Sequence, residues 1–271
     1  MKTAGSICRF EARDMTGLHW ITPDEPADAF PPVDHALRDP DGLLAVGGDL
    51  QRDRLLSAYR KGIFPWFNPG QPVLWWSPDP RAVLFPAELH LSRSLRRTFK
   101  RDRFTYSIDM DFEGVIRNCA TTRRHDQSHE QGDDQHGTWI TDDMFAAYCD
   151  LHTQGHAHSV EVWNGTRLVG GIYGVASGRV FFGESMFAHE TDASKAALVV
   201  LIRELIARGF VVLDCQVASA HLASLGSREI PREDFLRLLE NHAQHDAPDR
   251  WQLGVATHDL FAFDPATEAG A

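Results

Sequence analysis

The hydrophobic pattern is clearest in the second half of the chain. His158 to Trp163, Arg167 to Val175 and Arg179 to Phe187 read as strands, and Asn164-Gly165 and Ser177-Gly178 between them are tight-turn dipeptides. Three antiparallel strands are predicted there. Leu198, Leu201, Ile202, Leu205 and Ile206 then recur at helical spacing from about Asp192 to Arg208, with Gly209 as the stop. The run Phe210-Val211-Val212-Leu213 follows as a buried strand. A helix opens after Thr141, carries Met144, Phe145, Tyr148 and Leu151, and ends at Gly155; another spans Arg232 to about Glu240. Hairpin strands, helix, buried strand and helix in that order predict an α+β domain over roughly 139–245.

The first half is less regular. Residues 1–28 lack apolar periodicity and read as a tail or loosely packed arm. Gly47-Gly48 marks a turn, Asp49 or Asp53 can cap a helix bearing Leu55, Leu56 and Tyr59, and Gly62 stops it. Tyr59 to Arg81 then packs six aromatics and five prolines into 23 residues, which excludes helix or central strand. Such aromatics serve either a core or a stacking platform for a flat ligand. A helix from Ser92 sets Arg93, Arg96, Arg97, Lys100 and Arg101 on one arc with Leu95 and Phe99 opposite. That arc is either a solvated face or a phosphate-contact surface.

Residues 29–138 are accordingly read as a small N-terminal α/β domain and 246–271 as a C-terminal extension. A polar insertion, 124–136, holds His125, His129 and His136. No cysteine joins these histidines, so metal ligation is disfavoured.

Composition narrows the function. The 271 residues are 43% hydrophobic and 24% charged, ordinary for a globular chain, and no apolar run approaches a membrane span. A soluble, cytoplasmic protein is expected. Cys8, Cys119, Cys149 and Cys215 are widely spaced, which indicates reduced thiols instead of a disulfide framework or zinc ribbon. A net charge of −11 confines any nucleic-acid contact to a local patch such as the arginine arc.

Two carboxylates stand out because each sits against apolar strand sequence. Glu184 lies in Phe181-Phe182-Gly183-Glu184-Ser185-Met186-Phe187, and Asp214 in Leu213-Asp214-Cys215-Gln216. Each needs a cation or hydrogen-bond donor, whether as an internal ion pair or as a group that holds a cationic substrate or moves a proton. Period-two alternation would put Asp214 and Gln216 on a common face. No P-loop is present, since Gly170-Gly171 and Gly174 lack the following Gly-Lys-Ser/Thr.

Six motifs in order carry a resemblance. Gly-Ile-Phe-Pro-Trp-Phe, Leu-Trp-Trp-Ser-Pro-Asp-Pro-Arg, Gly-Thr-Trp-Ile-Thr, Gly-His-Ala-His-Ser-Val-Glu-Val-Trp, Phe-Gly-Glu-Ser-Met-Phe and Asp-Cys-Gln-Val together resemble the leucyl/phenylalanyl-tRNA–protein transferase family, from about Phe30 to Leu239.

The resemblance implies transfer of Leu, Phe and less readily Met from aminoacyl-tRNA to proteins with N-terminal Arg or Lys, in N-degron degradation. It also implies a C-terminal domain similar to GNAT acyltransferases. Trp66 and Trp139 would hold the terminal adenosine with Tyr59 nearby. Ile172, Phe181, Leu198 and Leu201, with Tyr148 adjoining, would line an apolar aminoacyl pocket. Asp214 with Gln216 would position and deprotonate the attacking amine, and Glu184 would help hold the amine or the basic side chain. The arginine arc would meet acceptor-stem phosphates. Aminolysis of an activated ester requires neither metal nor redox cofactor, and none is expected.

Two other classes compete. An acetyl-CoA-dependent N-acetyltransferase shares the element order, but Ala188 to Ser194 has no glycine for a pyrophosphate turn. A non-catalytic tRNA-binding module explains the aromatics and the basic helix, yet leaves Glu184 and Asp214 without purpose.

Overall fold

The computed structural model describes residues 18–22, 24–101, 103–121, 140–244 and 250–253. Two sheets organise them. The smaller has the order β1-β2-β4-β3, from β1 (His19–Ile21), β2 (Leu43–Gly47), β3 (Phe64–Pro65) and β4 (Leu74–Trp76). Helix α1 (Arg52–Arg60) lies against it and stops before Gly62, whose positive φ of 72° suits a residue without a side chain. Asp49 does not cap α1 through its first turn; it accepts from the N–H of Gln51 and the Nε of Arg54.

The stretch read as a tail is corrected where it is described. β1 pairs in parallel with β2, and Arg54 ties the following turn by donating to the carbonyls of Glu25 and Pro26.

The larger sheet runs β11-β5-β10-β9-β8-β7-β6, where β5 is Arg81–Leu84, β6 Thr105–Ile108, β7 Ala157–Asn164, β8 Arg167–Ser177, β9 Val180–Ala188, β10 Val212–Gln216 and β11 Arg228–Ile230. The two hairpins turn at Gly165 and Gly178, both at positive φ. β5 and β6 fall within 29–138 yet pair in this sheet, so the smaller sheet ends by Trp76 and the larger begins at Arg81.

Adjacent residues of the central strands serve opposite cores. Tyr173 and Phe182 pack with α3 (Phe112–Thr121), α4 (Asp142–Thr153) and α7 (Arg232–His242), and this core continues into the smaller sheet and α1. Ile172 and Phe181 pack with α2 (Arg93–Lys100) and α5 (Ala193–Ala207) on the other face. α5 comes close because Gly170 has no side chain: a Cβ there would lie 2.6 Å from that of Ala193. A four-residue helix, α6 (Ala220–Ala223), precedes β11.

Candidate active site

The site begins where two strands part. β9 and β10 pair in parallel only through Val212↔Val180, Leu213↔Phe181 and Asp214↔Phe182. Both strands carry an extra residue just beyond. On β9, Gly174 and Tyr173 face Gly183 and Ser185, which leaves Glu184 as the bulge. Gly174 permits it, since a Cβ there would sit 2.1 Å from the Phe182 carbonyl oxygen. On β10, Val83 and Ala82 face Asp214 and Gln216, leaving Cys215 unpaired. Bulges re-aim side chains and end pairing, and here two of them open one fork. The common face expected for Asp214 and Gln216 is therefore lost, because Cys215 breaks the alternation.

Gln216 has a positive φ of 58°, and the Val217 N–H donates to the Cys215 carbonyl at 2.7 Å, closing a γ-turn around it. The Gln216 N–H donates to Asp214 Oδ1 at 3.0 Å. Asp214 thus shapes the turn. Its carboxylate is also gripped end to end by Arg81, with Nε to Oδ1 at 2.8 Å and Nη2 to Oδ2 at 2.7 Å, and both side chains have no exposed surface. Arg81 lies over the rings of Phe64 and Phe235 and donates to the Gly62 carbonyl at 3.1 Å. One guanidinium therefore joins the α1 C-terminus, α7 and β10. The expectation that Asp214 takes a proton from the amine does not fit this geometry, because both oxygens are occupied and shut away from water.

Glu184 meets different company. Tyr59, from α1, donates to its Oε1 at 2.7 Å, Tyr148, from α4, donates to its Oε2 at 2.8 Å, and the two phenol oxygens lie 2.7 Å apart. Burial chiefly pushes the Glu184 acid up to about 7; the charge of Asp214 adds to this, while the phenol hydrogen bonds and Arg81 oppose it. Burial likewise drives both phenols well above their ordinary value, with the Glu184 charge adding.

Tyr59 and Tyr148 are corrected by this arrangement. Both are fully buried, Tyr59 against Phe182 and Tyr148 against Tyr173, so Tyr59 offers no face to an incoming base. Tyr148 lies on the opposite sheet face from Ile172, Phe181, Leu198 and Leu201. Those four do share one cluster, but each has at most 3% of its surface exposed, so they fill their space instead of lining an open pocket.

Trp66 is half-buried, its ring 6.0 Å from that of Trp76. Trp76 donates from its indole to the Trp66 carbonyl, and Trp75 to that of Gly47; both indoles are packing. Trp139 and the histidines of the polar insertion lie outside the described residues. On α2, Ser92 caps the Leu95 N–H, Leu95 and Phe99 are buried, and Arg93, Arg97, Lys100 and Arg101 are exposed with Arg96 half-buried. The helix is held by Thr98 donating to Asp192 at 2.9 Å. Among the described residues, no helix is long and apolar enough to cross a membrane.

Sequence reasoning named Tyr59 and Tyr148 but missed Arg81 and the joining of the two phenols to Glu184. The Pro-Asp-Pro-Arg corner was the signal for the first; partners 36 to 125 residues apart gave none for the second.

Comparison with known proteins gives the family of the chain. Residues 48–79 match the profile of the leucyl/phenylalanyl-tRNA protein transferase N-terminal domain, and 83–240 that of leucyl/phenylalanyl-tRNA protein transferase. A leucyl/phenylalanyl-tRNA–protein transferase of Pseudomonas syringae pv. syringae is 52% identical over 222 residues, covering 82% of this chain and 93% of the relative. One from Hydrogenovibrio crunogenus is 51% identical over 247 residues, covering 91% and 93%. The solved structure of L-PGS from Bacillus licheniformis aligns with 63% of this chain and 52% of its own at TM-score 0.34 and 9% identity, too slight a likeness to carry an argument. The chain is an acyltransferase. It belongs to the leucyl/phenylalanyl-tRNA–protein transferase family, as its six motifs anticipate.

Proposed function

We propose that the chain moves leucyl and phenylalanyl groups, and less efficiently methionyl, from aminoacyl-tRNA to the α-amino group of proteins with N-terminal Arg or Lys, marking them for N-degron degradation. The observation that carries this reading is the Glu184–Tyr59–Tyr148 cluster at the β9–β10 fork of a family member. The parting parallel strands also support a GNAT-like reading of the larger sheet, with the smaller sheet and α1 as the N-terminal domain.

In this scheme the ester lies at the fork. The attacking α-amino group, with an ordinary pKa of about 7.7–8.0, must be neutral to react. Asp214 acts through position: held by Arg81, it fixes the Gln216 turn toward the fork. The aminoacyl side chain enters between β9 and β10 toward Ile172, Phe181, Leu198 and Leu201, which part to admit it. Half-buried Trp66, with Trp139, stacks on the terminal adenosine, at about 1–3 kcal/mol per stacked base. Exposed Arg93, Arg97, Lys100 and Arg101, with Arg96, meet acceptor-stem phosphates without reading sequence.

The test is incubation with labelled Phe-tRNA or labelled acetyl-CoA and a peptide beginning with Arg. Base-stable label on the peptide from Phe-tRNA alone supports the transferase. Label from acetyl-CoA supports an acetyltransferase, and label from neither leaves a binding module.

A further inference from the structure

The three side chains at the fork approach one another at hydrogen-bond length in all three pairings: Tyr59 to Glu184, Tyr148 to Glu184, and Tyr59 to Tyr148. Each pairing needs a proton between its oxygens. With Glu184 ionised, the two phenols supply only two, and both go to the carboxylate. The phenol oxygens would then face each other at 2.7 Å, lone pair against lone pair. A proton on the carboxyl resolves the count, because the acid donates to one phenol, that phenol to the other, and the second back to the carboxyl.

The surroundings favour the same state. The groups facing Glu184 are the Tyr59 and Tyr148 phenols from α1 and α4, Asp214 from β10 and Arg81 from β5, with the Tyr173 phenol from β8 beside the other two phenols. Arg81 is the only cation among them, and both ends of its fork are spent on Asp214. No other cation among these groups answers a charge on Glu184.

We propose that Glu184 rests as a carboxylic acid, its proton closing a cycle of three hydrogen bonds with Tyr59 and Tyr148, and that this cycle supplies and recovers the proton of the transfer step. The second part rests on the functional reading above. The acceptor nitrogen bonds to the aminoacyl carbonyl carbon, and the bond from that carbon to the ribose oxygen breaks with its electron pair on oxygen. Glu184, half-buried where both phenols are fully buried, gives its proton to that oxygen, and the proton shed by the new amide nitrogen restores the acid. No other reactant is needed. Burial, which drives the Glu184 acid up to about 7, keeps the proton available near neutrality.

The resting state is read on the free protein, with glutamate carboxyls labelled with carbon-13 and Glu184→Gln used to assign the signal. A carboxyl signal that titrates with a midpoint near 7 is expected. A signal already ionised at about pH 5.5 overturns the resting acid. The transfer role is read in single turnovers with Phe-tRNA and an Arg peptide. A glutamine amide can close the same cycle but cannot release a proton, so Glu184→Gln should bind Phe-tRNA normally and transfer at least about 100-fold more slowly. Transfer within about threefold of the wild type, with the titration as expected, confines the cycle to structure. If the wild type itself transfers nothing, the functional reading falls while the titration still decides the resting state.

Discussion

Replacing Asp214 by Asn separates an anchor from a base. The amide would keep an oxygen for the Gln216 N–H but remove the charge that faces Arg81. Arg81 would then remain wholly buried between Phe64 and Phe235, keeping the amide oxygen and the Gly62 carbonyl as acceptors but losing its counter-charge and the partner of its Nη2. Breaking such a pair from one side costs about 3–5 kcal/mol, because the orphaned cation stays out of water. At roughly 2–4 °C per kcal/mol for a chain of this size, Tm should fall by about 6–20 °C. Below the new transition, single-turnover transfer from Phe-tRNA should stay within about tenfold of the wild type, since Gln216 keeps its tether. The double variant Arg81→Met, Asp214→Leu should regain most of the stability, as buried ion pairs replaced by apolar groups often do. It should nevertheless lose turnover, having nothing to hold the Gln216 N–H. Circular dichroism melts and rapid-quench transfer at a common temperature read both quantities. A variant Asp214→Asn with unchanged Tm and abolished transfer would refute the anchor and restore Asp214 as the proton acceptor.

Three further outcomes follow from the same geometry. Glu184 titrates near 4.5 when unfolded and near 7 when folded, so the folded state binds the extra proton between those values and stability falls as pH rises through that window, by about 3 kcal/mol in all; urea midpoints from about pH 4.5 to 8 should show this decline in the wild type, and the difference curve against Glu184→Gln should isolate it. Neutralising Arg93, Arg97, Lys100 and Arg101 together should weaken Phe-tRNA binding and lower the slope of log affinity against log salt by about 0.7–0.9 for each phosphate no longer neutralised; an unchanged slope takes α2 out of the RNA interface. Trp251 stacks on His158 and packs on Phe181, Phe210 and Arg208, so Trp251→Ala should cost about 3–5 kcal/mol of stability and, by loosening Phe181, change the ratio of leucyl to phenylalanyl transfer; a preserved ratio shows that the Phe181 wall is not set from behind.

What the sequence disclosed depended on how local the cause was. Asn164-Gly165 and Ser177-Gly178 dictate their own turns, and the apolar spacing of α5 needs no distant partner, so both were legible. So was the two-faced character of α2, because Leu95 and Phe99 can only be buried together. β1 was not, being three residues long and stabilised by pairing with β2, 26 positions away. β5 was missed for the same reason, since its ladder partner β10 lies about 130 residues on. The two bulges defeat sequence reading in another way. They are departures from alternation, and a rule of alternation placed Asp214 and Gln216 on one face when Cys215 had separated them.

The two carboxylates illustrate why residue type at a strand end is insufficient to assign a role. Both were conspicuous for the same reason, an acid beside apolar strand sequence, and both sit at the same fork, Asp214 wholly buried and Glu184 half-buried. Their partners divide them. Asp214 meets a guanidinium that bonds both of its oxygens while Oδ1 also holds the Gln216 N–H, so its contribution is geometric. Glu184 meets two phenols, which can give and receive protons but cannot neutralise a charge, so burial raises its pKa to about 7 and the acid persists to near neutrality. Exchanging the partners would exchange the roles: a cation placed at Tyr148 would fix Glu184 as an anion and break the proton cycle. Tyr148→Phe, by contrast, removes one link without adding charge and should leave Glu184 titrating above the ordinary carboxylate range, because burial, the largest cause of its raised pKa, is retained.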